Sequence, residues 1–97
     1  MVQVTWSPQS LVDLDSICEY IGRDSEKYAK LVGQAIVTLI ESIAVNPLLG
    51  WEVPEYGRSD IRERLYRNYR VIYRVQSNAI EIVTITQGAK RLPQNPT

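Results

Sequence analysis

The sequence predicts a small α+β domain in which an antiparallel pair of helices packs on one face of a mostly antiparallel β-sheet. Apolar residues recur with helical period through the first half of the chain, and they alternate with polar residues through much of the second half. The predicted element order is β-α-α-β-β-β, and short connections make neighbouring elements pack together. Ninety-seven residues are enough for one domain with its own core, and no second domain fits.

The chain opens with a predicted strand and a predicted helix. Val2, Val4 and Trp6 alternate with polar residues, which is the pattern of a half-buried strand. Ser7 and Pro8 indicate a helix start, because serine caps helices and proline is favoured at the first helical position. The helix should end at Gly22, and its apolar residues, three or four positions apart, are Leu11, Leu14, Ile17, Cys18 and Ile21.

A second helix follows after a very short link. Asp24 or Ser25 can cap its N-terminus, and Asn46-Pro47 stops it. The short link predicts an antiparallel hairpin of the two helices. Its apolar residues with the 3.6 period are Tyr28, Val32, Ala35, Ile36, Leu39, Ile40 and Ile43.

The second half is predicted to form three strands after a loop. Residues 47–60 are rich in proline and glycine, which is typical of a connecting loop. Strands are predicted at 61–66, 69–76 and 79–86, joined by hairpin turns. Residues 91–97 should form an irregular tail.

Arginine residues recur at strand period in this half. In strand 69–76, Arg70 and Arg74 share one side, which should face away from the helices. A register that adds Arg62 and Arg64 to this side predicts four guanidinium groups on one sheet surface. Because guanidinium groups bind phosphates and carboxylates with two hydrogen bonds, this surface is a candidate binding site.

The alternative for this surface is a solvated outer face on which carboxylates such as Glu63 and Glu81 pair with the arginines across strands. Two further candidates also have structural alternatives. Trp51 is either an interface anchor or a side chain that fixes the loop. Lys90 and Arg91 either contact a target or belong to a solvated tail.

Composition excludes several classes of function. The chain has no histidine and only Cys18 as a thiol, which removes the usual zinc spacings, histidine-based triads and an internal disulfide. We therefore expect no metal and no cofactor. No uninterrupted apolar run of membrane length and no basic-then-apolar leader is present, so we expect a cytoplasmic protein without a membrane span.

Charge is unevenly distributed although it sums to zero. Residues 1–49 contain three basic and six acidic side chains, for a net charge of −3, and residues 50–97 contain eight basic and five acidic, for +3. We therefore expect an acidic partner for the second half. A neutral domain lacks the strong field of a dedicated nucleic-acid binder, so any such contact would be local.

The chain resembles a toxin of the RelE/ParE superfamily of bacterial type II toxin–antitoxin systems, over nearly its whole length. The resembling stretches occur in the family's order. They are Ser7-Pro8, Asp13-Leu14-Asp15-Ser16-Ile17, Tyr20-Ile21, Asn46-Pro47-Leu48-Leu49-Gly50, Val53-Pro54-Glu55, Ile61-Arg62-Glu63, Tyr69-Arg70-Val71-Ile72-Tyr73 and Gly88-Ala89-Lys90-Arg91. The resemblance implies the same α+β fold.

Function within the superfamily divides into two branches. RelE-like members cut messenger RNA in the ribosomal A site, a reaction that needs a general acid and a general base. Such members often carry histidine or tyrosine just past the last strand, where this chain has Gln87. Glu52, Glu55, Glu63 and the tyrosines are the alternative proton carriers, and their spacing selects none of them.

ParE-like members are instead known for inhibiting DNA gyrase by protein binding, which needs no such groups. Zero net charge and the lack of histidine or tyrosine just past the last strand favour this branch, so the resemblance implies a ParE-like gyrase inhibitor of the plasmid-stabilisation type. It also implies a cognate antitoxin, whose disordered C-terminal segment would wrap the toxin; such a segment, often acidic and apolar, suits the arginine surface and the groove beside the helix hairpin. We expect Arg62, Arg64, Arg70 and Arg74 to contribute to that binding. The alternatives are a RelE-like endoribonuclease and a non-toxic, antitoxin-binding member of the family.

Overall fold

The structure, a computed structural model, describes residues 1–88 and 90–96. Five strands form one sheet in the order β1-β5-β4-β3-β2, with β1 parallel to β5 and the other neighbours antiparallel. Two helices pack on one face, which confirms the predicted α+β class. The elements in chain order are β1 (Gln3–Trp6), α1 (Pro8–Gly22), α2 (Glu26–Val45), β2 (Trp51–Glu52), β3 (Ile61–Tyr66), β4 (Tyr69–Val75) and β5 (Ala79–Gln87).

Most element boundaries agree with the sequence predictions to within one residue. The difference is β2, a two-residue strand inside the segment that was predicted to be a loop. Its residues pair with Glu63 and Arg62 of β3 and extend the sheet at that edge. The sequence signal was too short to show it, because two residues have no recognisable period.

Both helices begin at a serine cap. The Ser7 hydroxyl accepts a hydrogen bond from the Ser10 amide at 3.0 Å and donates to the Val83 carbonyl at 2.7 Å. Ser25, rather than Asp24, caps α2 by accepting from the Tyr28 amide at 3.0 Å. The Ser7 side chain therefore starts α1 and also ties it to β5.

The main core lies between the helices and the sheet. Helix α2 is long and apolar enough to cross a membrane by length and composition alone, yet its most apolar residues are buried against the sheet. Packing in this domain thus explains one apolar face of α2, whereas Leu31 and Val45 of the same helix are exposed. The buried members of the core are Val32, Ile36, Ile40, Ile43, Ala44, Val71, Tyr73, Ile80, Ile82 and Ile85.

A second, smaller core lies on the opposite face of the sheet. Val53, Ile61, Ile72 and Val83 are buried there, and partly buried side chains from both covering segments pack against them. One covering segment is the 53–60 loop. The other, residues 92–96, follows β5 and has neither helix nor strand. The sheet is therefore covered on both faces.

The Tyr73 hydroxyl group fixes the segment between α2 and β2. Tyr73 is fully buried, as its place on the helix side of β4 predicted, and it donates to the Pro47 carbonyl at 2.7 Å. The Gly50 amide donates to the same oxygen at 2.9 Å. A Cβ atom at Gly50 would lie 2.5 Å from the Glu63 carbonyl oxygen and 2.7 Å from the Tyr73 hydroxyl, so this close approach requires glycine.

Candidate protein-binding site

The strand register divides the four candidate arginines into two pairs on opposite faces. Arg62 lies opposite Tyr73 and Arg64 opposite Val71, so both share the helix side of the sheet. Arg70 and Arg74 lie on the other side. The predicted surface of four guanidinium groups is therefore wrong.

The physical reason is the two-residue connection between β3 and β4. It places Tyr66 directly opposite Tyr69, and that pairing determines which β4 residue lies opposite each earlier residue of β3. Because side chains alternate with a period of two, a shift of one residue moves a whole set to the other face. The sequence pattern of β3 alone did not determine this choice.

Arg70 is neutralised by two carboxylates. Its Nε lies 2.6 Å from Glu63 Oε1, and its Nη1 and Nη2 lie 2.7 and 2.9 Å from the two Glu55 oxygens. Arg70 and Glu63 are buried, at 7% and 4% exposure. The hydrogen bonds from Arg70 lower the pKa of Glu55 to about 2. This cluster, the Arg70 cluster, holds the 53–60 loop on the sheet, so Arg70 is not available to a partner in this structure.

Arg74 is also engaged within the domain. Its Nη1 lies 3.3 Å from Glu81 Oε1, and its Nη2 donates to the Pro96 carbonyl in the covering segment. For Arg70 and Arg74, the structure shows the alternative in which carboxylates pair with the arginines across strands. Both residues stabilise the covered outer face.

Arg62 and Arg64 have different surroundings. Arg62 donates to the carbonyls of Ser59 and Gly50 at 3.0 and 2.9 Å. The guanidinium carbon of Arg64 lies 5.9 Å from the ring centre of Trp51, within cation–π range. Among the described residues, neither arginine forms an ion pair with a carboxylate.

The same edge of the sheet also presents aromatic and apolar groups. Trp51 and Leu65 are about half exposed, at 50% and 47%. Arg67 has a positive φ of 54° in the β3–β4 turn, and its guanidinium carbon lies 5.6 Å from the ring centre of Tyr66. Arginine, tryptophan and tyrosine are enriched in interface hot spots, so these side chains form a candidate binding site. We refer to Trp51, Arg62, Arg64, Tyr66 and Arg67 together as the edge row.

Backbone groups are also accessible beside the edge row. Strand β2 pairs only with Arg62 and Glu63, so β3 has no strand neighbour on that side from Arg64 to Tyr66 within the described part of the chain. An exposed strand edge can accept an added strand from a partner. Cations, aromatic rings and an open edge therefore coincide here.

A cleft of about 680 Å³ lies between α1, the end of β5 and the segment from residue 90. Lys90 and Arg91 line it and are exposed, and Gln87 lies at its wall. Tyr20 and Tyr69 contribute aromatic rings. The structure thus places Lys90 and Arg91 at this cleft.

Proton-transfer chemistry has little support in the described residues. Glu55 and Glu63 are both held by Arg70, and the low pKa of Glu55 makes it a weak base. Burial raises the pKa of Tyr56, Tyr69 and Tyr73, which moves each phenol further from neutral pH. Within residues 1–88 and 90–96, no group of three or more cysteine, aspartate or glutamate side chains is arranged to hold a metal ion.

The comparisons with known proteins agree with this fold. The family described as "ParE toxin of type II toxin-antitoxin system, parDE" matches residues 4–92. The chain therefore belongs to the ParE toxin family and is a toxin of a type II toxin–antitoxin system. No curated protein matches it at a significant level.

Solved structures with a similar fold include toxin–antitoxin proteins from two bacteria. The chromosomal ParDE system from P. aeruginosa has a TM-score of 0.73 at 23% identity, over 90% of this chain and 96% of that chain. The YoeB dimer from Staphylococcus aureus has a TM-score of 0.59 at 25% identity, with coverages of 86% and 92%. The heterotetrameric YoeB–YefM toxin–antitoxin complex from Staphylococcus aureus has a TM-score of 0.52 at 27% identity, with coverages of 87% and 93%.

Sequence patterns missed two features of these surfaces. The role of Trp51 depends on β2, and the contribution of Arg67 depends on a turn with positive φ. For Arg67, the available sequence signal was the position of an arginine beside the hairpin turn. The cleft combines residues that are distant in sequence, so no local pattern could predict it.

Proposed function

We propose that this toxin arrests growth in the bacterial cytoplasm by binding DNA gyrase, and that a cognate antitoxin neutralises it. The observation that carries the proposal is the Arg70 cluster. Arg70 and two of the candidate proton carriers, Glu55 and Glu63, are bound to one another. The strongest ionic groups of the domain therefore support the fold, which favours inhibition by binding over catalysis.

RNA cleavage would require groups that these residues do not supply. A general base near neutral pH needs a pKa near 7, whereas Glu55 titrates at about 2 and the pKa values of three tyrosines are raised. Gln87, at the end of β5, cannot exchange a proton near neutral pH. Inhibition by protein binding needs only complementary surfaces.

For the antitoxin we propose the edge row as the binding site. Arg62, Arg64 and Arg67 are cationic and have no carboxylate within ion-pair distance among the described residues. An acidic and apolar segment that folds on binding would match these cations, the Trp51 ring and the open edge of β3. Arg70 and Arg74, which the sequence grouped with them, contribute to this site only through the fold.

The test is pulse-labelling of DNA and protein synthesis within minutes of inducing the toxin without its antitoxin. We expect thymidine incorporation to fall first and the cells to filament. Co-expression of the antitoxin encoded beside the gene is the control, and it should restore both rates. An earlier fall in amino-acid incorporation would instead establish RNA cleavage, and unchanged synthesis would establish a non-toxic member of the family.

A further inference from the structure

The cleft beside α1 is a concave surface that the antitoxin proposal leaves unused. Its volume of about 680 Å³ is in the range of ligand and side-chain pockets in proteins. One wall is α1, where Val12 and Tyr20 are 58% and 67% exposed. The opposite wall is the end of β5 and the segment that follows it.

The shape of the cleft is fixed by hydrogen bonds that leave its apolar surface open. A register shift in β5 leaves Val83 without a partner in β4, and Ser7 donates to its carbonyl. Asp13 accepts hydrogen bonds from the Thr84 hydroxyl, from the Ile85 amide at 3.0 Å and from Gln9 at 2.7 Å. These contacts hold α1 against β5, so a binding partner would meet a formed surface.

The charges of the cleft favour an acidic partner. Lys90 and Arg91 are exposed on its rim and form no ion pair with the residues that the structure describes. Asp13 is the one carboxylate among the described lining residues, and both its oxygens accept hydrogen bonds. The cleft therefore combines two available cations with aromatic and apolar walls.

The cleft and the edge row are built mainly on different elements. The cleft lies along α1, the end of β5 and the segment after it, whereas the edge row is on β3, β2 and the β3–β4 turn. The two sites come nearest where Tyr69, which lines the cleft, lies opposite Tyr66 of the edge row. Two sites suit two partners, as expected for a protein that must be bound by a target and by an inhibitor.

We propose that the cleft is the target-binding surface of the toxin, and that it receives an acidic segment of the target protein with an apolar or aromatic side chain at its centre. The inference rests on the proposed function, since the target assumed is gyrase. Tyr20 and Tyr69 contact the central side chain, while Lys90 and Arg91 bind the flanking carboxylates. Nucleic acid is the less suitable occupant because the domain has no net positive charge.

The test measures two activities of the full chain: inhibition of supercoiling by purified gyrase, and affinity for the antitoxin encoded beside the gene. One variant is Lys90→Glu/Arg91→Glu and a second is Tyr20→Ala, all at exposed positions. The matched control is Lys27→Glu/Lys30→Glu, which makes the same charge change on exposed residues of α2 outside the cleft. Thermal unfolding confirms that each variant folds.

We expect both cleft variants to need about tenfold more toxin for half-inhibition of supercoiling, while antitoxin affinity changes less than about twofold. The control should behave as the wild type. If the wild type inhibits gyrase and the cleft variants inhibit it equally well, this inference fails and the proposed function stands. If the cleft variants lose antitoxin binding instead, the cleft belongs to the antitoxin and the inference fails. A wild type without effect on gyrase would overturn the proposed function, and the inference with it.

Discussion

The two arginine pairs of the sheet have opposite roles although they lie on adjacent strands. Arg70 and Arg74 of β4 are held by carboxylates and by covering segments on the outer face. Arg62 and Arg64 of β3 contact carbonyl groups and an aromatic ring at the sheet edge. The same residue type is therefore neutralised by carboxylates in one strand and has no carboxylate partner among the described residues in the next.

Strand position explains this difference. Strand β4 is central, with β3 and β5 on either side, so its side chains are surrounded and an arginine there must be paired. Strand β3 has only the two residues of β2 beyond it, and Arg62 and Arg64 on its helix side are half-buried. An arginine in a central strand should accordingly be expected to form a buried ion pair, and one near an edge to be a candidate for binding.

The largest expected effect concerns Arg70. Replacement by alanine leaves the carboxylate of Glu63, which is 4% exposed, without its partner, and we expect the free energy of unfolding to fall by about 3–5 kcal/mol. Urea denaturation measures it. The variant Arg70→Met/Glu63→Leu, which removes both charges, should recover much of the loss. A loss below about 1 kcal/mol for Arg70→Ala would mean that the pair does not hold the outer face.

The next effect concerns the backbone contact that positions the edge row. Gly50→Ala would bring a Cβ atom to 2.5 Å from the Glu63 carbonyl, and we expect a loss of about 1–3 kcal/mol in the free energy of unfolding. Gly22→Ala is the matched control, because its Cβ would meet Ala29 at an ordinary 3.8 Å. Equal stabilities of the two variants would contradict the close approach.

A smaller effect is expected from Glu55, and it depends on pH. Because Arg70 lowers the pKa of Glu55 to about 2 in the folded state, from about 4.5, its contribution is complete above pH 4.5 and is lost as the pH falls toward 2. The stability difference between wild type and Glu55→Gln should therefore be constant near neutral pH and shrink over that acidic window. Urea midpoints at a series of pH values measure it, and a difference that does not depend on pH would exclude this ion pair.

The smallest effect on stability is expected from Arg64. Its guanidinium contacts the half-exposed Trp51 ring and no carboxylate among the described residues, so Arg64→Ala should cost about 1 kcal/mol or less. Urea denaturation of Arg64→Ala and Arg70→Ala under the same conditions compares the two losses in the free energy of unfolding. A loss as large as that of Arg70 would remove the distinction between the two strands.

The sequence determined the fold more completely than the site. Both helices were predicted from the helical period of the apolar residues, from the Ser7-Pro8 start and from the Asn46-Pro47 stop. The alternation of apolar and polar residues predicted the boundaries of β3, β4 and β5 to within one residue. The face of the β3 arginines was not determined, because Arg62, Arg64 and Tyr66 alternate equally well in either register. The segments that cover the outer face have no periodic pattern of apolar residues, so only the three-dimensional structure shows that this face is covered.

The most direct test of the division between the two strands is the affinity for the antitoxin encoded beside the gene, measured by calorimetry. The variant Arg64→Glu/Arg67→Glu is compared with Lys27→Glu/Lys30→Glu, which makes the same change of charge away from the edge row. We predict that the edge-row variant keeps its thermal stability but binds the antitoxin at least about tenfold more weakly, while the control binds as the wild type does. Equal affinities of the two variants would contradict the assignment of the edge row as the antitoxin site.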